Sequence, residues 1–283
     1  MSQNGHFLIA SYPKSGNTWV RCLIASLHSG GKAPDINDLA SLCPLASSRK
    51  WLENLVGIPT GELTAEEILE ARNEAYLLAA RTATGPLYLK THDAWTARLF
   101  PPQATRGIVH IVRDPRDIAP SFAHHGQIGL DTMIGQMEFE GLVVSRSLRK
   151  WRAQADQAVG SWSEHVQSWF GQTNSPRLLL RYEDMRADPV GQTTRLSDFL
   201  GLGCDSGLIE RTVAACDFRL LQAMELQSGF SEKPPKSERF FRQGMADAWR
   251  GALTPEQAGR IAAGHRTVMT ALGYDTQAGS PAG

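Results

Sequence analysis

At 283 residues the chain is long enough for one large domain with a sizeable core. Its 29 Lys plus Arg balance its 29 Asp plus Glu, which argues against a polyanion-binding surface and so against a nucleic-acid partner. The four cysteines, Cys22, Cys43, Cys204 and Cys216, lack metal-ligand spacing and suit a reduced compartment. With no signal-peptide pattern and no apolar run of membrane-spanning length, a cytoplasmic protein without a membrane anchor is expected.

Phe7–Ser11 reads as a buried strand, and a helix is expected from Thr18 to about Leu27. Between them lies Tyr12-Pro13-Lys14-Ser15-Gly16-Asn17-Thr18-Trp19. Such a strand–turn–helix junction binds anions, because the first helical amides lack internal partners and the dipole adds positive charge. Lys14 precedes Gly16, whereas a Walker A loop places its lysine after the second glycine. That order argues against an ATP or GTP loop.

Leu63 to Arg81 has helical spacing, with Thr64 and Glu67 forming a capping box. Leu87–Lys90 reads as a short strand leading into Thr91-His92. Ile108–Val112 is a further strand leading into Arg113, and Asp114 with Pro115 should start a helix reaching His125 and carrying Ser121. A helix is expected over Lys150–Gly171, with Trp162, Val166 and Trp169 on a core-packing face. A fourth strand spans Leu178–Tyr182, and the remainder is mostly helical to Leu272. Residues 229–236 look like a surface loop and 276–283 like a disordered tail. Strands alternating with helices predict a single α/β domain over residues 1–275, a central parallel sheet flanked by helices. Ligands should collect at the carboxyl ends of its strands, where His92 follows the second.

Taken in order, these segments resemble the cytosolic-type, PAPS-dependent sulfotransferases, with a bacterial member expected. The Y-P-K-S-G-T-T-W phosphosulfate loop of that family differs here only by Asn17. Lys90-Thr91-His92 matches its K-T-H segment, and Arg113 with Ser121 matches its 3′-phosphate segment. Gly160-Ser161-Trp162 to Trp169 resembles its G-S-W-x-x-H-V-x-x-W helix, and Tyr182-Glu183-Asp184 its Y-E-D segment. Arg242 and Gly244 match the closing loop, where Gln243 replaces a lysine. Phe218 matches the phenylalanine near the adenine.

The resemblance implies a P-loop-kinase-like sulfotransferase fold and transfer of a sulfuryl group from PAPS, with PAP as product. It implies His92 as general base, with Lys14 and Lys90 beside the transferring group. It implies a donor site of Lys14, Ser15, Gly16, Asn17, Thr18, Trp19, Arg113, Ser121, Tyr182, Phe218, Arg242, Gln243 and Gly244. The acceptor would be a small molecule with a hydroxyl, or less readily an amine, chosen by loops 29–61, 126–150 and 227–239. No metal would be needed. A Mg²⁺-dependent small-molecule kinase and a non-catalytic PAPS- or PAP-binding protein are the alternatives. The sequence leaves the oligomeric state and the acceptor's identity open.

Overall fold

The computed structural model describes residues 5–145, 152–234 and 237–276. Its strands and helices alternate as β1 His6–Ser11, α1 Asn17–His28, α2 Leu39–Leu42, α3 Arg49–Val56, α4 Ala65–Thr82, β2 Leu87–Thr91 and β3 Thr105–Val112. Then follow α5 Pro115–Gly126, α6 Leu130–Glu138, β4 Val143–Val144, β5 Gln157–Ala158, α7 Trp162–Gly171 and β6 Arg177–Arg181. The chain continues helically through α8 Tyr182–Ala187, α9 Pro189–Leu200, α10 Ser206–Ala215, α11 Phe218–Ser228, α12 Pro255–Gly264 and α13 Arg266–Ala271.

The four-stranded sheet has the order β2-β1-β3-β6, and every pairing is parallel. β1 is buried along its whole length, as its unbroken apolar run requires. Phe7 and Ile9 belong to one core with Val20, Leu23 and Ile24 of α1. Leu8 and Ala10 point the other way, into a second core with Tyr76, Phe100 and Trp169. Helices thus cover both faces of the sheet, and the sequence-based architecture holds.

Capping signals fix several helix starts. Thr64 and Glu67 form the expected box, and the Asp114 carboxylate accepts from Arg116 N at 2.8 Å ahead of Pro115. The helix expected over Lys150–Gly171 is shorter. It begins at Trp162, because Gly160 takes a positive φ of 68° and Ser161 forms a capping box with Glu164. Residues 157 and 158 are instead strand, paired with 143 and 144, while Lys150 and Trp151 lie outside the described residues. Trp162, Val166 and Trp169 are buried, as their spacing implied. β6 ends at Arg181, so Tyr182 opens a helix instead of closing a strand. The tail from 277 and residues 235–236 of the 229–236 loop also lie outside the described residues.

The turn after β2 is held from beneath. Arg72 of α4 forks onto the Asp93 carboxylate at 2.5 and 3.1 Å, and both side chains are nearly inaccessible. Thr91 Oγ1 donates to the same carboxylate at 2.9 Å, and Trp169 Nε1 donates to the Asp93 carbonyl at 3.1 Å. Removing one member of a buried pair strands the other charge, at a cost of about 3–5 kcal/mol. Arg72→Met should therefore lower the denaturation midpoint sharply. Adding Asp93→Asn should recover part of that loss, since the stranded charge is gone. Equal destabilisation by the single and double variants would show that the ion pair is not what holds this turn.

Candidate active site

A cleft of about 1020 Å³ opens at the carboxyl end of the sheet, and each of the four strands delivers a segment to it. β1 leads to the turn around Lys14, β2 to His92, β3 to Arg113 and β6 to Tyr182. Because β1 lies between β2 and β3, the Lys14 turn sits between His92 on one side and Arg113 with Tyr182 on the other. Parallel strands ending side by side make such a crevice a general ligand site.

The turn is conformationally demanding. Lys14 has φ 69°, sparsely populated for a residue with a Cβ, and Gly16 has φ 104°. A Cβ on Gly16 would lie 2.7 Å from the Tyr182 ring, so both conformation and closeness select glycine here. Lys14, Gly16, Asn17, Thr18 and Trp19 line the cleft. Ser15 does not: its hydroxyl is buried without a protein partner. Asn17 turns its amide inward, donating to the Ile9 carbonyl at 2.9 Å and to Ser11 Oγ at 3.1 Å. Trp19 Nε1 donates to the Cys216 carbonyl at 3.1 Å, and its ring meets Tyr182 edge-on.

The remaining candidate residues converge on the same cleft. Arg113 donates to the Met245 carbonyl at 2.9 Å and to the Lys14 carbonyl at 3.3 Å, with its guanidinium 4.2 Å from the Tyr182 ring centre. Its nearest carboxylate is Asp117 at 3.7 Å, while Asp114 pairs with Arg116. Ser121, Phe218, Arg242, Gln243 and Gly244 also line the cleft. Arg242 donates to Gln243 Oε1 at 3.3 Å. Gly244 has a positive φ and packs so tightly on Phe218 that a Cβ would clash at 2.3 Å.

His92 donates from Nδ1 to the Ser11 carbonyl at 2.8 Å. A carbonyl can only accept, so the proton sits on Nδ1 and Nε2 keeps its lone pair. Burial, reinforced by the Lys90 charge, pushes the imidazole down to about 3, so it is neutral at physiological pH. Lys90 donates to Glu232 at 2.9 Å, and the same carboxylate accepts from Arg21 at 2.6 Å.

Four residues that the motifs did not single out organise the site. Glu232 neutralises Lys90 and Arg21 from the loop after α11. Asp117 accepts from the amides of Asp247 and Trp249 at 2.9 and 2.8 Å, and Glu225 accepts from those of Phe240 and Phe241 at 2.6 and 2.9 Å. Together they clamp the segment carrying Arg242 to Gly244. Arg21 is 1% exposed, and with polar Asn17 and Thr18 one turn before it on α1 nothing in the sequence marked it as buried.

Burial lowers the Lys14 ammonium to about 7, and the charges of Lys90, Arg113 and Arg242 push the same way. A bound anion would raise it again. Sulfate binding should therefore tighten as pH falls through about 7, where the free-site ammonium gains its proton, and should take up protons above that pH. Calorimetry in buffers of different ionisation enthalpy measures this. Affinity independent of pH from 6 to 9, without proton uptake, would contradict it.

Comparison with known proteins gives the family. Residues 4–273 match the sulfotransferase domain family, and the chain belongs to that family. Cytosolic sulfotransferase 16 of Arabidopsis thaliana is 27% identical over 271 residues, covering 90% of this chain and 73% of that protein. Flavonol 3-sulfotransferase of Flaveria bidentis is 26% identical over 269 residues, covering 89% and 78%. Among solved structures, retinol dehydratase in complex with androsterone and the inactive cofactor PAP shares the fold with a TM-score of 0.62, 21% identity and coverage of 93% and 80%. Mouse sulfotransferase SULT7A1 complexed with PAP gives 0.60, 20%, 95% and 84%.

Proposed function

We propose that this sulfotransferase moves the sulfuryl group of PAPS in line to a hydroxyl of a small organic acceptor, with His92 as general base. The observation that carries this reading is the tautomer of His92. Its Nδ1 proton is held by the Ser11 carbonyl, which leaves the lone pair on Nε2, and the residue lines a cleft shared with Lys14 and Lys90. The arrangement suits taking a proton from an alcohol as it attacks. Relatives whose names specify flavonol and luciferin point to small-molecule acceptors as well. The PAP recorded with both structural neighbours supports PAPS as donor.

PAPS supplies an activated sulfuryl group on a phosphate leaving group. This chain supplies position and charge. Lys14 neutralises charge growing on the leaving oxygen, and Lys90 faces the sulfuryl group. The amides around Gly16 and the Thr18 hydroxyl hold the 5′-phosphate. Arg113, Ser121, Arg242, Gln243 and Gly244 hold the 3′-phosphate, and Trp19, Tyr182 and Phe218 flank the adenine. Ser15 and the Asn17 side chain serve the turn's shape, since neither presents a free polar group to the cleft. The acceptor lies on the β2 side, and the described parts of its selecting loops that line the cleft fall within 29–61, 126–145 and 227–234. The reading needs no metal ion and places the enzyme in the cytoplasm.

His92→Ala should lower turnover by about 10²–10⁴-fold while leaving PAP affinity nearly unchanged, in assays run in EDTA. Wild-type turnover by the variant would rule His92 out as the base. Arg113→Ala and Arg242→Ala should each weaken PAP about tenfold or more and AMP much less, since charge-assisted bonds to the extra phosphate are lost. Equal weakening of PAP and AMP would show that neither arginine reads the 3′-phosphate.

A further inference from the structure

Asn17 is the one departure from the phosphosulfate-loop pattern, and its side-chain amide turns toward β1. The residue is 5% exposed. Both amide hydrogens are committed to β1, one to the Ile9 carbonyl at 2.9 Å and one to Ser11 Oγ at 3.1 Å. Its Oδ1 is buried without a protein partner. The amide orientation follows from chemistry, since a flip would set oxygen against the Ile9 carbonyl. A threonine has a single hydroxyl hydrogen and could not donate to both acceptors.

Ser11 is the next link. Its carbonyl accepts from His92 Nδ1 at 2.8 Å, and its hydroxyl lies 3.3 Å from the same nitrogen. Both oxygens of Ser11 therefore meet one imidazole nitrogen, and Asn17, donating to the hydroxyl, fixes the rotamer that puts it there. From this chain of contacts we infer that Asn17 is a positioning residue for His92, acting through Ser11, and not a contact of the sulfuryl donor. The inference rests on the reading of His92 as the general base. With Asn17 in place, the Nδ1 proton keeps its acceptors, and Nε2 stays aimed and unprotonated. Without it, the Ser11 side chain is free to rotate, and the imidazole keeps its main-chain acceptor and tautomer but loses the hydroxyl contact that helps fix its orientation.

The test compares Asn17→Thr, Ser11→Ala, His92→Ala and the Asn17→Thr/His92→Ala double variant by single-turnover sulfuryl transfer from labelled PAPS and by PAP binding. Asn17→Thr and Ser11→Ala should each slow transfer about tenfold, the scale of one net hydrogen bond to a reacting group, with PAP affinity within about twofold of wild type. In the His92→Ala background the Asn17→Thr effect should vanish, because the two residues act as a unit. Long-range ¹H–¹⁵N spectra of histidine-labelled protein should show the His92 Nδ1 shift moving in Asn17→Thr as the hydroxyl contact is lost, with the Nδ1–H tautomer retained. Ser11→Ala keeps the measurement decisive if Asn17→Thr folds poorly, since it cuts the same chain at its other end. An undiminished Asn17→Thr effect without His92, or a fall in PAP affinity matching the fall in rate, would overturn the inference. A wild-type rate for His92→Ala alone would instead overturn the general-base reading.

Discussion

The hydrogen bonds that β1 makes to β2 on one side and β3 on the other decide how this cleft is divided. Ile9 pairs with Lys90 and with Val109, and Ala10 with Thr91 and His110. That shared register brings the three strands to an end together. The residues that follow, Lys14, His92 and Arg113, then face a common space. β6 extends the row past β3 and adds Tyr182. His92 therefore stands on the β2 side, Arg113 and Tyr182 on the β3 and β6 side, and the Lys14 turn between them. A change of strand order would separate these groups without altering any single motif.

Such convergence gathers like charges, and the chain manages each of them separately. Lys14 stands 4.2 Å from the Phe240 ring centre, where the π face favours a cation. Lys90 and Arg21 share Glu232, and Arg113 is held by two carbonyls and by the face of Tyr182. Burial, with the charges of Lys90, Arg113 and Arg242 behind it, depresses the Lys14 ammonium. An anion of high charge relieves it, so the cost of assembling the cations is offset when the donor binds. Asp117 and Glu225 contribute differently, fixing the backbone of the closing segment through amide hydrogen bonds.

Much of this was legible in the sequence because it is local. The apolar run of β1, the lysine-before-glycine order and the Thr64–Glu67 box each announce a structure within a few residues. The start of α7 was equally announced, since Ser161-Trp162-Ser163-Glu164 repeats the capping-box pattern, but the apolar spacing upstream of Gly160 obscured it. The direction of side chains within the turn was not legible. Ser15 and Asn17 look alike as polar residues of a motif, yet both are buried, and the Asn17 amide donates to Ile9 and Ser11 of β1. Glu232 could not be read at all, because its partners lie 142 and 211 residues away.

The central claim is that strand order splits the cleft into a nucleotide side and an acceptor side, with the Lys14 turn at the boundary. A crystal structure with PAP tests it most directly. The account predicts density for the 5′-phosphate on the Lys14–Thr18 turn and for the 3′-phosphate between Arg113 and Arg242. It also predicts an uncovered His92 Nε2 on the β2 side. Nucleotide density lying across His92, with Arg113 and Arg242 free of phosphate, would contradict it.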